Sequence, residues 1–166
     1  MAYAANKDPY EFRRDMLPDD SRLKNVLNIA AEKSGWGKKL PKGKGMGIAI
    51  LTCYDSYNAQ VAEVTVEGSK VKVDHYTVVI DCGIVVNPDI MENQMQGAIA
   101  FGLSAALKGE ITIKNGGVEQ SNFNDYPILT YNEMPIVDIH YIRNTYKVGG
   151  VGEVGVGACA PALCNA

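Results

Sequence analysis

Alternation of apolar and polar residues in the middle of the chain predicts a β-hairpin. Segments 58–67 and 70–74 both alternate, and Gly68–Ser69 between them is a typical turn. The side chains predicted to face inward are Ala62, Val64 and Val66 in the first segment and Val71 and Val73 in the second. Continuous apolar runs at 47–53 and 76–82 predict a buried strand on either side of this hairpin. The centre of the chain is therefore expected to form a sheet.

Two short helices are predicted near the start of the chain. Asp8 followed by Pro9 is a typical helix start, because an aspartate caps free amides and proline suits the first turn. Asp19 or Asp20 is expected to cap a second helix, which ends near 34–35. The apolar face of this second helix consists of Leu23, Val26, Leu27 and Ala30.

The longest predicted helix runs from 88 to 107. Asn87 is the expected cap and Pro88 fits the first turn. The residues predicted to share its core-facing side are Met91, Met95, Ala98 and Gly102. Small residues on that side allow the helix to pack closely against a neighbour.

The later part of the chain returns to short strands. Asn115-Gly116 lies between segments 111–114 and 118–120, and this dipeptide favours a tight hairpin turn. Segment 136–142 alternates and predicts a last strand. The order of helix, helix, strands, long helix and strands indicates an α+β fold, with a mostly antiparallel or mixed sheet and helices packed on one face.

The same patterns divide the chain into three parts. A helical segment is predicted over 1–36, a glycine- and lysine-rich linker over 37–47, and an α+β domain over 48–166. The linker is expected to be a solvated loop. Phosphate binding is the weaker alternative, because the linker lacks the residue order of a P-loop and no helix follows it.

Composition and charge exclude several classes of protein. The 166 residues are 46% hydrophobic and 21% charged, which is ordinary for a globular domain. The net charge is −3 and no basic stripe occurs, so nucleic acid is not an expected partner. No apolar run approaches the roughly 18 residues of a membrane-spanning helix. The N-terminal residues lack the charged and apolar regions of a signal peptide.

Cysteine and histidine positions do not suggest a protein-bound metal. The four cysteines form no C-x-x-C pair, and a zinc or iron–sulfur site needs a tighter cluster. They are interpreted as small buried hydrophobes in a reducing compartment, although their number alone also allows a disulfide. We expect structural or surface roles for His75 and His140, and a packing role for Trp36.

The segment that could carry chemistry is 148–157, in which five of ten residues are glycine and Glu153 is the only charged side chain. Such glycine density predicts unusual backbone angles or close approach to another group. Its match to the dinucleotide fingerprint is rejected, because no βαβ unit and no later acidic residue follow. Glu153 is either a solvent-exposed acid on a turn or a general base held against a ligand. Burial among its valine neighbours would strengthen such a base.

Motifs over almost the whole chain carry a family resemblance. The matching stretches are DPYEFRRDML (8–17), AAEKSGWGKKLP (30–41), QVAEVTV (60–66), DCGIVVNPD (81–89), QMQGAIAFGLSAAL (94–107), GEITIKNG (109–116), QSNFNDYPIL (120–129), GGVGEVG (149–155) and APALCNA (160–166). In this order they resemble the C-terminal part of the large, molybdopterin-binding subunits of isoquinoline 1-oxidoreductase-like enzymes, in the xanthine dehydrogenase/aldehyde oxidase superfamily. The implied fold is that of an aldehyde oxidase molybdenum-cofactor-binding domain.

The resemblance implies a role for two residues. It makes Glu153 the catalytic base for hydroxylating an N-heterocycle or aldehyde with water as the oxygen source. It makes Gln94 a hydrogen-bonding partner of the cofactor, molybdenum-molybdopterin cytosine dinucleotide, although an ordinary helix-surface amide remains the alternative for this residue. Relatives usually have proline after the glutamate, whereas this chain has Val154.

The resemblance also implies partners that this chain lacks. They are the remainder of the large subunit and a 2Fe-2S small subunit, without which the chain is expected to bind no cofactor and to be inactive. An apolar face left uncovered would favour self-association. The alternatives are a non-catalytic remnant or assembly module that retains the fold and, less favoured, a small ligand-binding protein.

Overall fold

The computed structural model describes residues 1–166 and contains four helices and six strands. The helices are α1 (Pro9–Asp15), α2 (Arg22–Ser34), α3 (Pro88–Leu107) and α4 (Cys159–Cys164). The strands are β1 (Lys44–Cys53), β2 (Ser56–Glu67), β3 (Lys70–Asp81), β4 (Ile113–Lys114), β5 (Gly117–Val118) and β6 (Ile136–Tyr141). Short 3-10 turns cover Tyr3–Ala5 and Tyr131–Glu133.

The main sheet has the strand order β1-β2-β3-β6. β1, β2 and β3 pair antiparallel, whereas β6 lies parallel to β3. β4 and β5 form a separate two-stranded hairpin around the predicted Asn115-Gly116 turn. The predicted α+β class with a mixed sheet is therefore confirmed.

Helices cover both faces of this sheet, which corrects the prediction that they pack on one face. On one face α2 packs against the strands through Val26, Leu27 and Ala30, together with Ile48 and Val79 from the sheet. On the other face α3 and α4 cover a larger core, in which Met95 and Leu103 of α3 lie with Tyr76, Val78 and Ile80 of β3. Residues 58–62 of β2 and 76–81 of β3 are buried whichever side of the sheet they face, and this double burial requires a helical layer on each face.

Side-chain caps fix the starts of α1, α2 and α3, mostly as predicted. Asp8 accepts hydrogen bonds from the Tyr10 and Glu11 amides at the start of α1, and Asn87 accepts one from the Ile90 amide at the start of α3. The cap of α2 is Ser21 and not Asp19 or Asp20, because its hydroxyl reaches the Lys24 amide.

Trp36 follows α2 and has the predicted packing role. Its ring lies against the core on the α2 face, and its Nε1 donates to both oxygens of Asp8, at 3.1 and 3.0 Å. This contact ties the end of α2 to the start of α1.

The hairpin of β2 and β3 differs from the prediction at its far end. Val66 and Val71 are cross-strand partners that are 43% and 46% exposed, although both were expected to face the core. A β-bulge between Glu63 and Val64 shifts the register there, and the hairpin extends beyond the helices that would cover it. β1 begins at Lys44, so the predicted linker is shorter than 37–47; the three-part division of the chain otherwise stays a prediction.

Alanine in place of Gly47 is expected to lower the free energy of unfolding by about 2–3 kcal/mol. A methyl group at this position in β1 would overlap the Ala162 carbonyl oxygen and lie 2.6 Å from the Asn165 carbonyl carbon, so α4 would have to move. The matched control is Gly117→Ala in β5, where the nearest atom lies 3.7 Å away. Urea denaturation measures both, and equal midpoints would contradict this close packing of α4 on β1.

Candidate functional site

The segment 148–157, here called the glycine loop, connects β6 to α4 and carries Glu153. None of its five glycines has a positive φ angle; the glycines with positive φ lie elsewhere in the chain. Of the two explanations that the sequence left open, close approach to other groups therefore applies to four of the five glycines, and positive φ angles apply to none.

The first half of the glycine loop packs on the turn between β1 and β2. The Gly150 amide donates to the Tyr54 carbonyl oxygen at 2.7 Å, and the Ser56 hydroxyl donates to the Gly150 carbonyl oxygen at 2.7 Å. A methyl group on Gly149 would lie 2.6 Å from the Asp55 carbonyl oxygen, and one on Gly150 would lie 2.9 Å from Tyr54 Cβ. The loop and the turn can meet only because neither glycine has a side chain.

The second half of the glycine loop packs on α3. A methyl group on Gly155 would lie 2.7 Å from Ala98 Cβ and 3.2 Å from Met95 Sδ. The Gln60 side chain donates to the Gly155 carbonyl oxygen at 2.7 Å, and the adjacent Val154 is completely buried. Glu153 thus lies between two anchored stretches of main chain.

A buried polar network supports this second anchor. Gln60 Nε2 also donates to Asn58 Oδ1 at 2.7 Å, and the Tyr76 hydroxyl donates to Gln60 Oε1 at 2.9 Å and lies 3.0 Å from the Cys159 carbonyl oxygen. Burial raises the pKa of Tyr76 well above its ordinary value and raises the pKa of the Cys159 thiol to about 11. Both groups therefore stay neutral, and the network acts through hydrogen bonds and not through charge.

Glu153 is exposed, so the burial that would have strengthened it as a base is absent from this chain. Its one side-chain hydrogen bond comes from the Tyr54 hydroxyl, which lies 3.4 Å from Oε2, and no lysine, arginine or histidine pairs with it. Nearby, burial raises the pKa of the half-buried Cys53 thiol, and the negative charge of Glu153 raises it further. The carboxylate is accessible and carries no counter-ion.

Gln94 is exposed on α3 and makes no hydrogen bond within the chain. Its neighbour Met95 is one of the two α3 residues against which Gly155 packs. The fold therefore brings the segments that carry Gln94 and Glu153 into contact, although they are far apart in the sequence. The predicted core positions Met91 and Met95 are confirmed, since both are buried.

Two glycines beside these candidate residues are not explained by packing within the chain. A Cβ atom on Gly97, one turn after Gln94, or on Gly152, immediately before Glu153, would meet nothing within 4 Å. Neither has a positive φ, and glycine inside a helix costs about 1 kcal/mol relative to alanine. Both positions leave the backbone open to a group from outside the chain.

A buried ion pair holds the segment that leads into the glycine loop. Arg22 of α2 donates to both oxygens of Asp81 at 2.9 and 2.5 Å, and its guanidinium lies between the rings of Tyr57 and Tyr146, 4.5 and 4.6 Å from their centroids. Asn144 donates to the same carboxylate at 2.7 Å. Burial alone would raise the pKa of Asp81, but its hydrogen bonds from Arg22, Asn144 and a main-chain amide hold that pKa below its ordinary value.

An apolar cavity of about 240 Å³ adjoins the glycine loop and the start of α3. Its lining includes Ile84, Val86, Ile90, Met91, Val148 and Val151. The side chains of Ile84, Val86, Ile90 and Val148 are 47%, 82%, 59% and 49% exposed, so the cavity opens onto an uncovered apolar surface.

No three side chains of histidine, cysteine, aspartate and glutamate come together in a way that would hold a metal ion. His75 Nε2 lies 2.9 Å from Asp138 Oδ2, which is a pairing between neighbouring strands. All four cysteines are free. None of the helices has the length and apolar character needed to cross a membrane.

Sequence patterns missed three residues that shape this site. Arg22 and Gln60 contact partners that are distant in the sequence and that only the fold brings near. Gln60 could have been recognised, because it is a polar residue on the same face of its strand as the buried Ala62 and Val64. Tyr54 could also have been recognised, because Tyr54-Asp55 forms a two-residue turn without the glycine or asparagine that such turns favour.

Comparisons with known proteins identify the family of this chain. The profile of a family described as the molybdopterin cofactor-binding domain matches residues 24–135. The chain is 33% identical to isoquinoline 1-oxidoreductase subunit beta of Brevundimonas diminuta, over all of this chain and 22% of that protein. It is also 33% identical to the membrane-bound aldehyde dehydrogenase [pyrroloquinoline-quinone] of Gluconacetobacter polyoxogenes, over all of this chain and 24% of that protein.

The chain is also similar in fold to solved structures. Quinoline 2-oxidoreductase from Pseudomonas putida 86 superposes with a TM-score of 0.59 and 25% identity, over 67% of this chain and 15% of that one. The chain spans less than a quarter of the length of the curated relatives that it matches.

Proposed function

Because the chain belongs to the molybdopterin cofactor-binding domain family, we propose that it forms one wall of the cofactor site in a molybdenum hydroxylase. In this proposal Gln94 binds the cofactor and Glu153 is the catalytic base. The cofactor is molybdenum-molybdopterin cytosine dinucleotide, and the reaction hydroxylates an N-heterocycle or an aldehyde with water as the oxygen source.

One observation carries this proposal: both candidate residues adjoin a glycine whose open backbone is not explained by packing within the chain. Gly97 lies one helical turn from Gln94 and Gly152 precedes Glu153, and neither glycine is needed for the chain's own packing. The amide of Gln94 offers both donors and an acceptor, which suits a ligand rich in ring nitrogens and phosphate. The Gln94 amide thus suits the organic part of a metal-containing cofactor, and the metal itself needs no ligand cluster from this chain.

The absent proline after Glu153 does not argue for a non-catalytic remnant. Val154 stands in its place, and its side chain is completely buried in the core shared by the sheet, α3 and α4. The following carbonyl oxygen, that of Gly155, is held by Gln60. Burial and hydrogen bonding thus restrain the loop where proline would have stiffened it.

The chemistry assigned to this chain is proton transfer. When bound, the molybdenum cofactor supplies the two-electron oxidation and the activation of water. Glu153 takes up a proton from the reacting water-derived oxygen, for which an accessible carboxylate without a counter-ion is suited. Gln94 orients the bound cofactor by hydrogen bonds.

Complete activity requires further polypeptide in this proposal. The remainder of the large subunit supplies the other cofactor contacts, and a 2Fe-2S small subunit accepts the electrons. The exposed apolar residues around the cavity at 84–90 support a surface that another polypeptide covers. The chain alone is expected to be inactive, and to associate with itself when these partners are absent.

The Gln94→Ala exchange in the assembled enzyme is expected to lower bound molybdenum and pterin together by about tenfold, the effect of losing one to two hydrogen bonds to the cofactor. The matched control is Gln96→Ala, which removes the same side chain from an exposed position on the same helix. Metal analysis, pterin fluorescence and release of cytidine monophosphate on acid hydrolysis measure the content.

Three results would contradict the proposal. The first is an equal content of molybdenum and pterin in the Gln94→Ala and Gln96→Ala variants. The second is an active enzyme that contains pyrroloquinoline quinone without molybdenum. Stoichiometric molybdenum in the isolated chain would contradict the expected inactivity of the chain alone.

A further inference from the structure

The turn between β1 and β2 consists of two residues in an unfavourable conformation. Tyr54 and Asp55 have φ angles of +52° and +59°, in the left-handed region that residues with a side chain seldom adopt. The chain uses suitable residues at its other tight turns: Asn115-Gly116 between β4 and β5, and Gly68 between β2 and β3. The hairpin itself therefore does not need a tyrosine here.

The same turn is the platform for the first half of the glycine loop. The Gly150 amide donates to the Tyr54 carbonyl oxygen, and Ser56 donates to the Gly150 carbonyl oxygen, both at 2.7 Å. Because the main chains are joined at this point, the backbone of Tyr54 is held beside the residues that follow Gly150. Glu153 is three residues further along the loop.

The hydroxyl of Tyr54 reaches the carboxylate of Glu153. It lies 3.4 Å from Oε2, and no other side chain donates to either oxygen. A phenol that donates to one oxygen restricts the rotation of the carboxylate and leaves Oε1 free to accept a proton. The two side chains are 99 positions apart in the sequence, so the contact depends on the docking of the loop on the turn.

We propose that Tyr54 is a positioning residue for Glu153, and that the left-handed turn is retained because it presents the Tyr54 hydroxyl to that carboxylate. This inference rests on the proposed role of Glu153 as a base. Strained backbone at residues with a side chain clusters at functional sites.

The first test uses the whole chain without cofactor. In carbon-13-labelled protein, the carboxyl resonance of Glu153 is assigned by its loss in Glu153→Gln. The Tyr54→Phe exchange is expected to shift this resonance, whereas Tyr131→Phe, at a 91% exposed tyrosine, leaves it in place. An unchanged Glu153 resonance in Tyr54→Phe would overturn the proposal.

The second test separates positioning from folding. Replacement of the turn by Asn-Gly, as Tyr54→Asn with Asp55→Gly, relieves the left-handed strain, so Tm is expected to rise by a few degrees. In the assembled enzyme the same double variant, like Tyr54→Phe, is expected to lower kcat about tenfold with little change in KM, the effect of one lost hydrogen bond. A residue with only a structural role would instead lower Tm and leave kcat unchanged.

The outcomes distinguish this inference from the proposed function. If Glu153→Gln keeps full turnover in the assembled enzyme, the assignment of the base fails and the positioning role falls with it. If Glu153→Gln abolishes turnover while Tyr54→Phe and the Asn-Gly variant keep wild-type kcat, only the inference about Tyr54 is overturned.

Discussion

Glutamine in place of Glu153 is expected to lower kcat of the assembled enzyme by about 10²–10⁴-fold, the usual contribution of a general base. Glutamine has the same shape and can still accept a hydrogen bond from Tyr54, but it cannot take up a proton. The side chain is exposed and has no ion pair, so stability should change by less than about 0.5 kcal/mol. Turnover and molybdenum content are measured together.

The control for this exchange is Glu110→Gln, which removes one negative charge at an exposed position outside the glycine loop. It should leave kcat unchanged, so a loss shared by both variants would indicate an effect of net charge. Full turnover of Glu153→Gln at normal molybdenum content would contradict the assignment of the base.

Methionine in place of Arg22 is expected to lower the free energy of unfolding by about 4 kcal/mol, because it leaves a buried carboxylate without its counter-ion. The side chain of Asp81 is only 2% exposed. The guanidinium also stacks between Tyr57 and Tyr146, and this contact is lost as well. The measurement is urea denaturation at neutral pH.

The matched control is Lys24→Met on the same helix. Lys24 forms an ion pair at 2.6 Å with Asp19, but the Asp19 side chain is fully exposed. Solvent screens such a pair, so its loss should cost much less than the loss of the buried pair. Similar losses in the two variants would contradict the special role of the Arg22–Asp81 pair.

Acidification provides a second measurement on the same pair. The pKa of Asp81 is lower in the folded chain than in the unfolded chain, so the unfolded chain binds a proton more readily and acid favours unfolding. The stabilisation is complete above the ordinary carboxyl pKa of about 4 and is lost as the pH falls through the lowered value. Asp74 adds to the same trend, because its hydrogen bonds with Thr65 and Lys44 lower its pKa to about 2. The Arg22→Met variant should lose less stability between neutral pH and pH 3 than the unaltered chain.

The ion pair also bears on the candidate site. Asp81 ends β3 and binds Asn144, which begins the segment that leads into the glycine loop. The main chain continues this attachment, because the Gly149 amide donates to the Cys82 carbonyl oxygen at 2.8 Å. Weakening the pair should therefore loosen the approach to Glu153 in addition to lowering stability.

Much of the secondary structure could be predicted because its causes are local. The bounds of α3 agree with the prediction at both ends, since Asn87 caps amides only a few positions away and the apolar residues repeat at helical spacing. The hairpin at Asn115-Gly116 was predictable for the same reason. The choice of Ser21 over Asp19 or Asp20 as the cap of α2 was not, because all three lie within reach and only the path of the chain distinguishes them.

The candidate residues Glu153 and Gln94 came from the resemblance and from the unusual glycine density, both of which are properties of the sequence. Only the tertiary structure decided that helices cover both faces of the sheet, that Glu153 is exposed, and that four of the five loop glycines serve close packing. The contacts responsible join residues 59, 95 and 99 positions apart, as in Arg22–Asp81, Gln60–Gly155 and Tyr54–Glu153. Sequence periodicity reports which side of an element is apolar, but it carries no information about which distant element will cover that side, because that choice depends on the packing of the whole chain.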